Sequence, residues 1–252
     1  MSIRRILLVA AAVACATGFA SSASATVMIA TYAGTVTTGQ DLTGEFGSRV
    51  DLSGLSYVAT FRYDTALGST GFSSPPDFDE RAGGSSYWPS GFASPILAGT
   101  LTLEGVTRSF SFDSMGDVSM ASGTTTFPAP DTYGYFFAGG YNTGVAPGGD
   151  LESSLSMSIY TLFGASSLSD PFSGSLGSSL APYSTGSFSI IDQPDLGVPT
   201  YLHNASATLA PETVSIAVAS VPEPGTWALM LAGFAGLGAA LRWQRRGAAL
   251  AV

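Results

Sequence analysis

Apolar and polar residues alternate through several short stretches of the chain. The clearest is LSYVATFRY, residues 55–63, in which every second residue is apolar or aromatic and those between are mostly polar. A period of two places such residues on one face of a β-strand. The same alternation recurs in ILAGTLTL, VTRSFSF, LSMSIYTLF and VSIAVAS. The apolar residues that alternate in these segments are Leu97, Leu101, Leu103, Leu155, Met157, Ile159, Phe163, Val214, Ile216 and Val218.

Turn-forming residues separate these predicted strands. A turn is expected at Glu104-Gly105, between ILAGTLTL and VTRSFSF. Three longer segments rich in Gly, Ser and Pro, residues 71–95, 121–150 and 164–199, predict long loops. Short strands joined by turns, without a convincing amphipathic helix among them, predict a mainly β domain of the β-sandwich or jelly-roll type.

The first 25 residues have the pattern of a secretory signal peptide. Arg4 and Arg5 precede an apolar run over residues 6–16, and Ala23 and Ala25 form an A-x-A cleavage site. The apolar run is too short to span a bilayer comfortably. We therefore expect the export machinery and a signal peptidase to act on residues 1–25, which leaves a β-rich extracytoplasmic domain at residues 26–220.

A second apolar run, residues 225–241, contains no charged residue. Its length predicts one transmembrane helix. Arg242, Arg245 and Arg246 follow the run and favour a cytoplasmic C-terminus, with residues 247–252 as a short tail. This topology leaves the β-rich domain outside, as the predicted signal peptide does.

Pro222, Glu223 and Pro224 lie immediately before that run. Each proline fixes its own φ and pushes the preceding residue towards extended backbone, which a protease cleft accepts. The order of Pro-Glu-Pro, apolar helix and arginine cluster over residues 221–246 resembles the PEP-CTERM sorting signal. The resemblance implies recognition by an exosortase-like membrane protease, transient anchoring in the inner membrane, and passage to the cell surface or extracellular matrix. Exopolysaccharide is a candidate partner at that location.

Residues 32–68 carry a second resemblance, to the N-terminal regions of other PEP-CTERM surface proteins. Its elements are Asp41-x-Thr43-Gly44-x-Phe46-Gly47 and Phe61-x-Tyr63-Asp64. The resemblance implies a shared β-domain. We expect Asp41 and Asp64 to bond turn backbone, and Gly44 and Gly47 to permit tight turns.

Composition argues against several kinds of site. The single cysteine, Cys15, lies in the predicted signal peptide, so the mature chain would have neither a disulfide nor a thiolate nucleophile. The sequence has no lysine and one histidine, His203, which we expect to be structural. These counts argue against Schiff-base chemistry, a P-loop and multi-histidine metal sites. A net charge of −9 without a basic patch argues against a nucleic-acid partner. We expect no enzymatic activity, cofactor or metal.

Other functions stay open at this point. Aromatic residues of the predicted loops could stack on sugar rings, and two acidic groups could hold Ca²⁺ or supply the carboxylate pair of a glycosidase. The alternatives are a carbohydrate- or Ca-binding surface module and, more remotely, a secreted glycoside hydrolase. The plainer interpretation is that the aromatics cover the ends of the sandwich and that Arg81 forms a solvated pair with its acidic neighbours. The residues concerned are Phe72, Tyr87, Trp88, Phe92, Tyr133, Tyr135 and Tyr141, and the acids Asp77, Asp79, Glu80, Asp192 and Asp195.

Overall fold

The computed structural model describes residues 27–70, 78–88, 91–125, 131–146, 149–161, 167–175, 183–194, 202–219 and 233–234. These residues form eleven β-strands, which confirms the predicted mainly β class. The strands are β1 (Val27–Asp41), β2 (Ser56–Asp64), β3 (Phe78–Gly83), β4 (Ile96–Leu103), β5 (Val106–Phe110), β6 (Met115–Thr125), β7 (Asp131–Ala146), β8 (Gly149–Thr161), β9 (Phe172–Ser175), β10 (Thr185–Pro194) and β11 (Asn204–Val218).

The strands form one antiparallel sheet. Its order is β3-β6-β7-β8-β10-β11-β1-β2-β4-β5, and β9 pairs with β11 outside this path. The strands β3 and β5 therefore lie at the two ends of the order. The strands β6, β7 and β8 are each paired along both edges.

The hydrophobic core contains side chains from strands that are distant in this order. The ring of Tyr32 in β1 stacks on that of Phe136 in β7, with 6.1 Å between the ring centroids and 26° between the ring planes. Tyr63 of β2 approaches the same Phe136 ring at 6.1 Å. The Tyr32 hydroxyl also donates a hydrogen bond of 3.4 Å to the carbonyl of Met157 in β8. Because three strands separate β1 from β7 in the order, the sheet folds over and buries these rings between its two halves.

The alternation in residues 55–63 produces the strand that it predicts. Tyr57, Ala59, Phe61 and Tyr63 of β2 are all buried, and so is Leu55 just before the strand. The predicted apolar positions of β8 and β11 are likewise buried at Leu155, Met157, Ile159, Val214 and Ile216, whereas Val218 is exposed and Phe163 lies outside the described residues.

A bulge changes the predicted face of one leucine. Leu97 was expected to share a buried face with Leu101 and Leu103, but it is 43% exposed, while Ile96 is buried. The pairing of β2 with β4 shifts register between Arg62 and Tyr63, so that Tyr63 lies opposite Ile96 and Arg62 opposite Ala98. The extra residue of a bulge reverses the side on which the residues beyond it point. Leu97 consequently faces outward.

The three predicted long loops contain strands, so this part of the prediction is wrong. Residues 71–95 include β3, residues 121–150 include all of β7, and residues 164–199 include β9 and β10. The segment 121–150 was misjudged because glycine and serine usually mark loops. In β7 the glycines instead allow close packing: a Cβ on Gly139 would lie 2.6 Å from the Cβ of Ser156. Tyr133, Tyr135 and Tyr141 are therefore strand residues.

The turn predicted at Glu104-Gly105 joins β4 to β5. The φ angles are +48° at Glu104 and +84° at Gly105, which is the left-handed pair that a tight two-residue hairpin requires. The hairpin pairs Leu103 directly with Val106. This prediction is confirmed.

Residues Ala25–Ala219 form one compact unit, and Met1–Ser24 and Ser220–Val252 lie outside that unit. No helix within the described ranges has the length and hydropathy that a membrane crossing requires. The predicted signal peptide lies outside those ranges, as does the predicted transmembrane segment except for residues 233 and 234. The domain limits drawn from the sequence stay predictions.

Candidate functional site

Acidic and aromatic residues share the outward side of β3, β6, β7 and β8. Residues directly opposite each other in antiparallel strands point to the same side of a sheet. Glu80 lies opposite Ser119, which in turn lies opposite Phe137. The neighbour of Ser119 in β6, Met120, is buried and belongs to the core side. We call this outward surface the acidic-aromatic face, and its members are Glu80, Asp117, Ser119, Tyr135, Phe137 and Tyr160.

Three tyrosine rings form a row at this face. Tyr135 of β7 lies opposite Tyr160 of β8, and their ring centroids are 4.9 Å apart with 47° between the planes. Tyr160 contacts Tyr183, which lies just before β10, at a centroid distance of 6.2 Å and an angle of 65°. Tyr183 is 61% exposed. The row thus runs across three neighbouring strands and becomes more accessible towards β10.

Asp117 is the most perturbed carboxyl group of the face. It lies opposite Gly139, and the ring of Phe137 covers that glycine, with Cζ 3.0 Å from the position that a Cβ would take there. Burial, together with the negative charge of Glu80, raises the pKa of Asp117 to about 7. Its Oδ1 is buried and has no hydrogen-bond partner in the part of the chain that the structure describes. A buried carboxyl oxygen without a donor is costly for the fold, which makes Asp117 a candidate for contact with a ligand.

Glu80 and Tyr135, on the same face, also have pKa values above the ordinary ones. Burial raises the pKa of Glu80 above its ordinary value. The pKa of Tyr135 rises to about 12 because the ring is partly buried and because Tyr160, Asp117 and Glu80 would repel a phenolate. A hydrogen bond with Ser119 acts in the opposite direction. Tyr135 therefore keeps its hydroxyl proton at neutral pH and can donate it.

The acidic residues of the stretch 77–80 do not all point to the same side of the sheet. Asp79 and Arg81 point to the core side of β3, and their ion pair measures 3.0 Å. Their side chains are only 24% and 26% exposed, so the prediction of a solvated surface pair is wrong. The Asp79 carboxylate also accepts a hydrogen bond of 3.0 Å from the backbone N–H of Leu168. Glu80 points to the opposite side, and Asp77 lies outside the described residues.

His203 belongs to a separate polar cluster. Its Nδ1 lies 2.6 Å from Oε1 of Glu45, whose other oxygen lies 3.2 Å from the Arg108 guanidinium. The Glu45 side chain is only 9% exposed. The Asp41 carboxylate holds the adjoining turn by accepting hydrogen bonds from the backbone N–H groups of Gly44, Glu45 and Phe46 at 2.7 to 2.9 Å. The cluster joins the end of β1 to the start of β11, which supports the structural role expected for His203.

The turn residues behave as the sequence predicts. Gly44 and Gly47 have φ angles of +80° and +119°, in the left-handed region that favours glycine. Asp64 accepts a hydrogen bond of 2.8 Å from the backbone N–H of Ala66. The predictions for Asp41, Asp64 and both glycines are confirmed.

Asp192 also has a structural position. It is 1% exposed, and its carboxylate accepts hydrogen bonds from the backbone N–H groups of Leu202 at 2.7 Å and His203 at 3.1 Å. Burial opposes ionisation of Asp192, but these two donors hold its pKa below the ordinary value. Asp195, its proposed partner, lies outside the described residues. Within the described ranges, no group of three His, Cys, Asp or Glu residues is placed to hold a metal ion.

An open groove of about 600 Å³ crosses β1, β10 and β11. Thr38, Gln40, Ser206 and Thr208 contribute hydroxyl and amide groups to its wall, and none of the described residues that line it is charged. The groove offers hydrogen bonds but no aromatic row like that of the acidic-aromatic face.

Reasoning from the sequence missed Asp117, Tyr160 and Tyr183. The usable signal was the spacing of Tyr133, Tyr135 and Phe137, which is an alternation of period two inside a glycine-rich stretch. The residues predicted to direct sorting and processing all lie outside the described residues. They are Ala23, Ala25, Pro222, Glu223, Pro224, Arg242, Arg245 and Arg246.

Comparison with known proteins places one segment of the chain in a described class. Residues 220–246 match the model of the PEP-CTERM protein-sorting motif. The protein therefore carries a PEP-CTERM sorting motif, as the resemblance of its C-terminal segment indicated. The motif implies processing by an exosortase-type membrane protein and export with membrane-anchored transit towards the cell surface. No curated protein and no solved structure matches the chain.

Proposed function

We propose that the protein is an exported surface or extracellular-matrix protein that an exosortase-like protease sorts by reading Pro222-Glu223-Pro224. The match of residues 220–246 to the sorting motif carries this proposal. The two prolines favour the extended backbone that a protease cleft binds, and Glu223 is the acid between them. The apolar residues 225–241 and the three arginines after them would hold the segment in the membrane while the protease acts.

The β-rich unit is the part that this route would deliver. We propose that it is a β-sandwich, and contacts such as the stacking of Tyr32 on Phe136 support two layers. We also propose that the unit has no catalytic activity. The composition supports this, because the sequence has no lysine, one histidine and no cysteine after the predicted signal peptide. Release of reducing sugars from polysaccharides by the purified protein would contradict the proposal that the unit has no catalytic activity.

The sorting proposal is tested by determining the C-terminus of the protein in its native host. Mass spectrometry of released and membrane fractions should find a terminus near residues 222–227 in the released protein. The Glu223→Ala variant should accumulate in the membrane fraction with residues 247–252 still present. Deletion of the host's exosortase should have the same effect on the wild-type protein.

The chain offers a matched control in Pro211-Glu212, a second Pro-Glu pair that lies in β11. Glu212→Ala removes an exposed glutamate without changing the proposed recognition sequence, and it should be processed like the wild type. A released protein that retains Val252, or equal processing of Glu223→Ala and wild type, would show that the sorting proposal is wrong.

A further inference from the structure

We propose that the acidic-aromatic face, together with Tyr183, binds a neutral glycan chain. The proposal concerns recognition by the delivered β-rich unit and is independent of the sorting route. It depends on three properties of the face: a row of aromatic rings, a carboxyl oxygen that lacks a donor among the described residues, and acidic side chains that form no ion pair with a described arginine.

The aromatic row supplies a surface for sugar rings. The rings of Tyr135, Tyr160 and Tyr183 succeed one another at centroid distances of 4.9 and 6.2 Å. Tyrosine combines an apolar ring with a hydroxyl that forms hydrogen bonds, so it suits a ligand with both C–H faces and hydroxyl groups. Because the row crosses β7, β8 and the start of β10, it can contact successive sugars of an extended chain.

Polar groups beside the row complement sugar hydroxyls. The buried Oδ1 of Asp117 has no hydrogen-bond partner among the described residues and can accept a hydrogen bond from a ligand hydroxyl. Ser156 of β8 and Ser187 of β10 lie on the same outward side, and their hydroxyls are 3.2 Å apart. Asp117, Ser156 and Ser187 are in register across β6, β7, β8 and β10, so these polar groups form a line beside the tyrosine row, displaced from it along the strands.

The charge of the face selects against acidic ligands. Glu80 and Asp117 are its ionisable acids, whereas the arginines of the described residues lie elsewhere. Arg81 points to the core side with Asp79, while Arg49 pairs with Glu104 at 3.4 Å, Arg108 pairs with Glu45 at 3.2 Å, and Arg62 lies on β2 opposite Ala98. The Arg81 guanidinium donates to the backbone carbonyl of Glu80, but its ion pair is with Asp79. A polyuronate or sulfated polymer would therefore meet two carboxyl groups that no described arginine neutralises, so a neutral glycan is the better complement.

The position of the face within the sheet favours a glycan over a peptide. An extended peptide commonly binds by adding a strand to an exposed sheet edge. The strands β6, β7 and β8 are hydrogen-bonded along both edges, so the tyrosine row has no free backbone edge beside it. A ligand must be recognised by side chains that project from the face of the sheet, and stacking on rings meets this condition.

The test is isothermal titration calorimetry of the full-length protein in detergent against soluble neutral glucan, mannan and galactan, with polygalacturonate as the acidic comparator. At least one neutral glycan should bind more tightly than polygalacturonate. Tyr160→Ala and Tyr183→Ala should each raise its Kd about 3- to 10-fold, which corresponds to the loss of one ring contact. At about pH 8, where the Asp117 carboxyl is mostly ionised, Asp117→Asn should raise the Kd by about 10-fold, because an amide oxygen is a weaker acceptor than a carboxylate.

Leu97→Ala is the control, because Leu97 is an apolar residue of 43% exposure on β4 and does not belong to the face. Its Kd should equal that of the wild type. Tyr183 is exposed, so its substitution should leave the melting temperature unchanged and separate lost binding from lost folding. The proposal is overturned if no neutral glycan binds, if the three face variants bind like the wild type, or if a lysine-rich peptide binds while the glycans do not.

Discussion

Replacing Asp117 by asparagine should change how the stability of the protein depends on pH. Burial raises the pKa of the Asp117 carboxyl from 3.8 to about 7, and the charge of Glu80 adds to this effect. Between these two values the folded state binds more protons than the unfolded state. The free energy of unfolding of the wild type must therefore fall as pH rises through this interval. Asparagine does not titrate, so Asp117→Asn lacks this contribution.

The size of the effect follows from the two pKa values. Proton linkage gives a loss of about 2 kcal/mol at about pH 5 and about 4 kcal/mol at about pH 8, relative to a protein with Asp117 protonated in both states. The free energy of unfolding of Asp117→Asn relative to wild type should thus increase by about 2 to 3 kcal/mol between these conditions. Above about pH 8 the difference should become constant, since Asp117 is then ionised in both states.

Urea unfolding at the two pH values, followed by tryptophan fluorescence and circular dichroism, measures this difference. Glu80→Gln provides an internal comparison: removing the second cause of the shift should lower the pKa of Asp117 and reduce the pH dependence. If wild type and Asp117→Asn differ by the same free energy at both pH values, Asp117 does not titrate in this range and the description of its burial is wrong.

Three further predictions concern the processed N-terminus, the core and one close backbone approach. Mass spectrometry of the exported protein should find Thr26 as the first residue, and an N-terminus that retains residues 1–25 would contradict signal-peptide removal. Phe136→Ala should lower the free energy of unfolding by about 3 to 5 kcal/mol in urea, because the fully buried ring packs on Tyr32 and Tyr63; a loss below about 1 kcal/mol would show that the two halves of the sheet do not meet there. Gly34→Ala should lower the free energy of unfolding by more than about 1 kcal/mol, as overpacking of a core does, because the new Cβ would lie 2.0 Å from the Ala210 carbonyl oxygen. The control Gly144→Ala, which has open space at that position, should change stability by about 0.5 kcal/mol or less in the same assay.

The strands that could be predicted from the sequence are those whose alternation is local and uninterrupted. In β2 the buried positions Tyr57, Ala59 and Phe61 follow one another at every second residue, so the strand and its buried face are both evident. The face of Leu97 could not be inferred, because it depends on a register shift opposite another strand. Strand β7 could not be predicted for a different reason. Its glycines allow close packing between strands, but in the sequence they resemble loop residues.

The same distinction separates the sorting motif from the acidic-aromatic face. Pro222, Glu223 and Pro224 form a linear signal, and the match of residues 220–246 to the sorting motif agrees with what their order indicated. The face instead depends on Asp117 and Tyr160, which are far apart in the sequence and meet only through the pairing of β6, β7 and β8. Strand order was not predictable from alternation, so neither residue could be assigned to a common site.

The stretch Asp79-Glu80-Arg81 shows how one strand can stabilise the fold and also contribute to a binding surface. Alternation sends Asp79 and Arg81 to the core side, where their ion pair and the Leu168 backbone bond anchor the edge strand β3. The same alternation leaves Glu80 on the outward side, where its charge contributes to the raised pKa of Asp117. A substitution at Asp79 should therefore act mainly on stability, whereas one at Glu80 should act on the face. The acidic composition of this stretch alone does not distinguish the two roles, but the side of the sheet does.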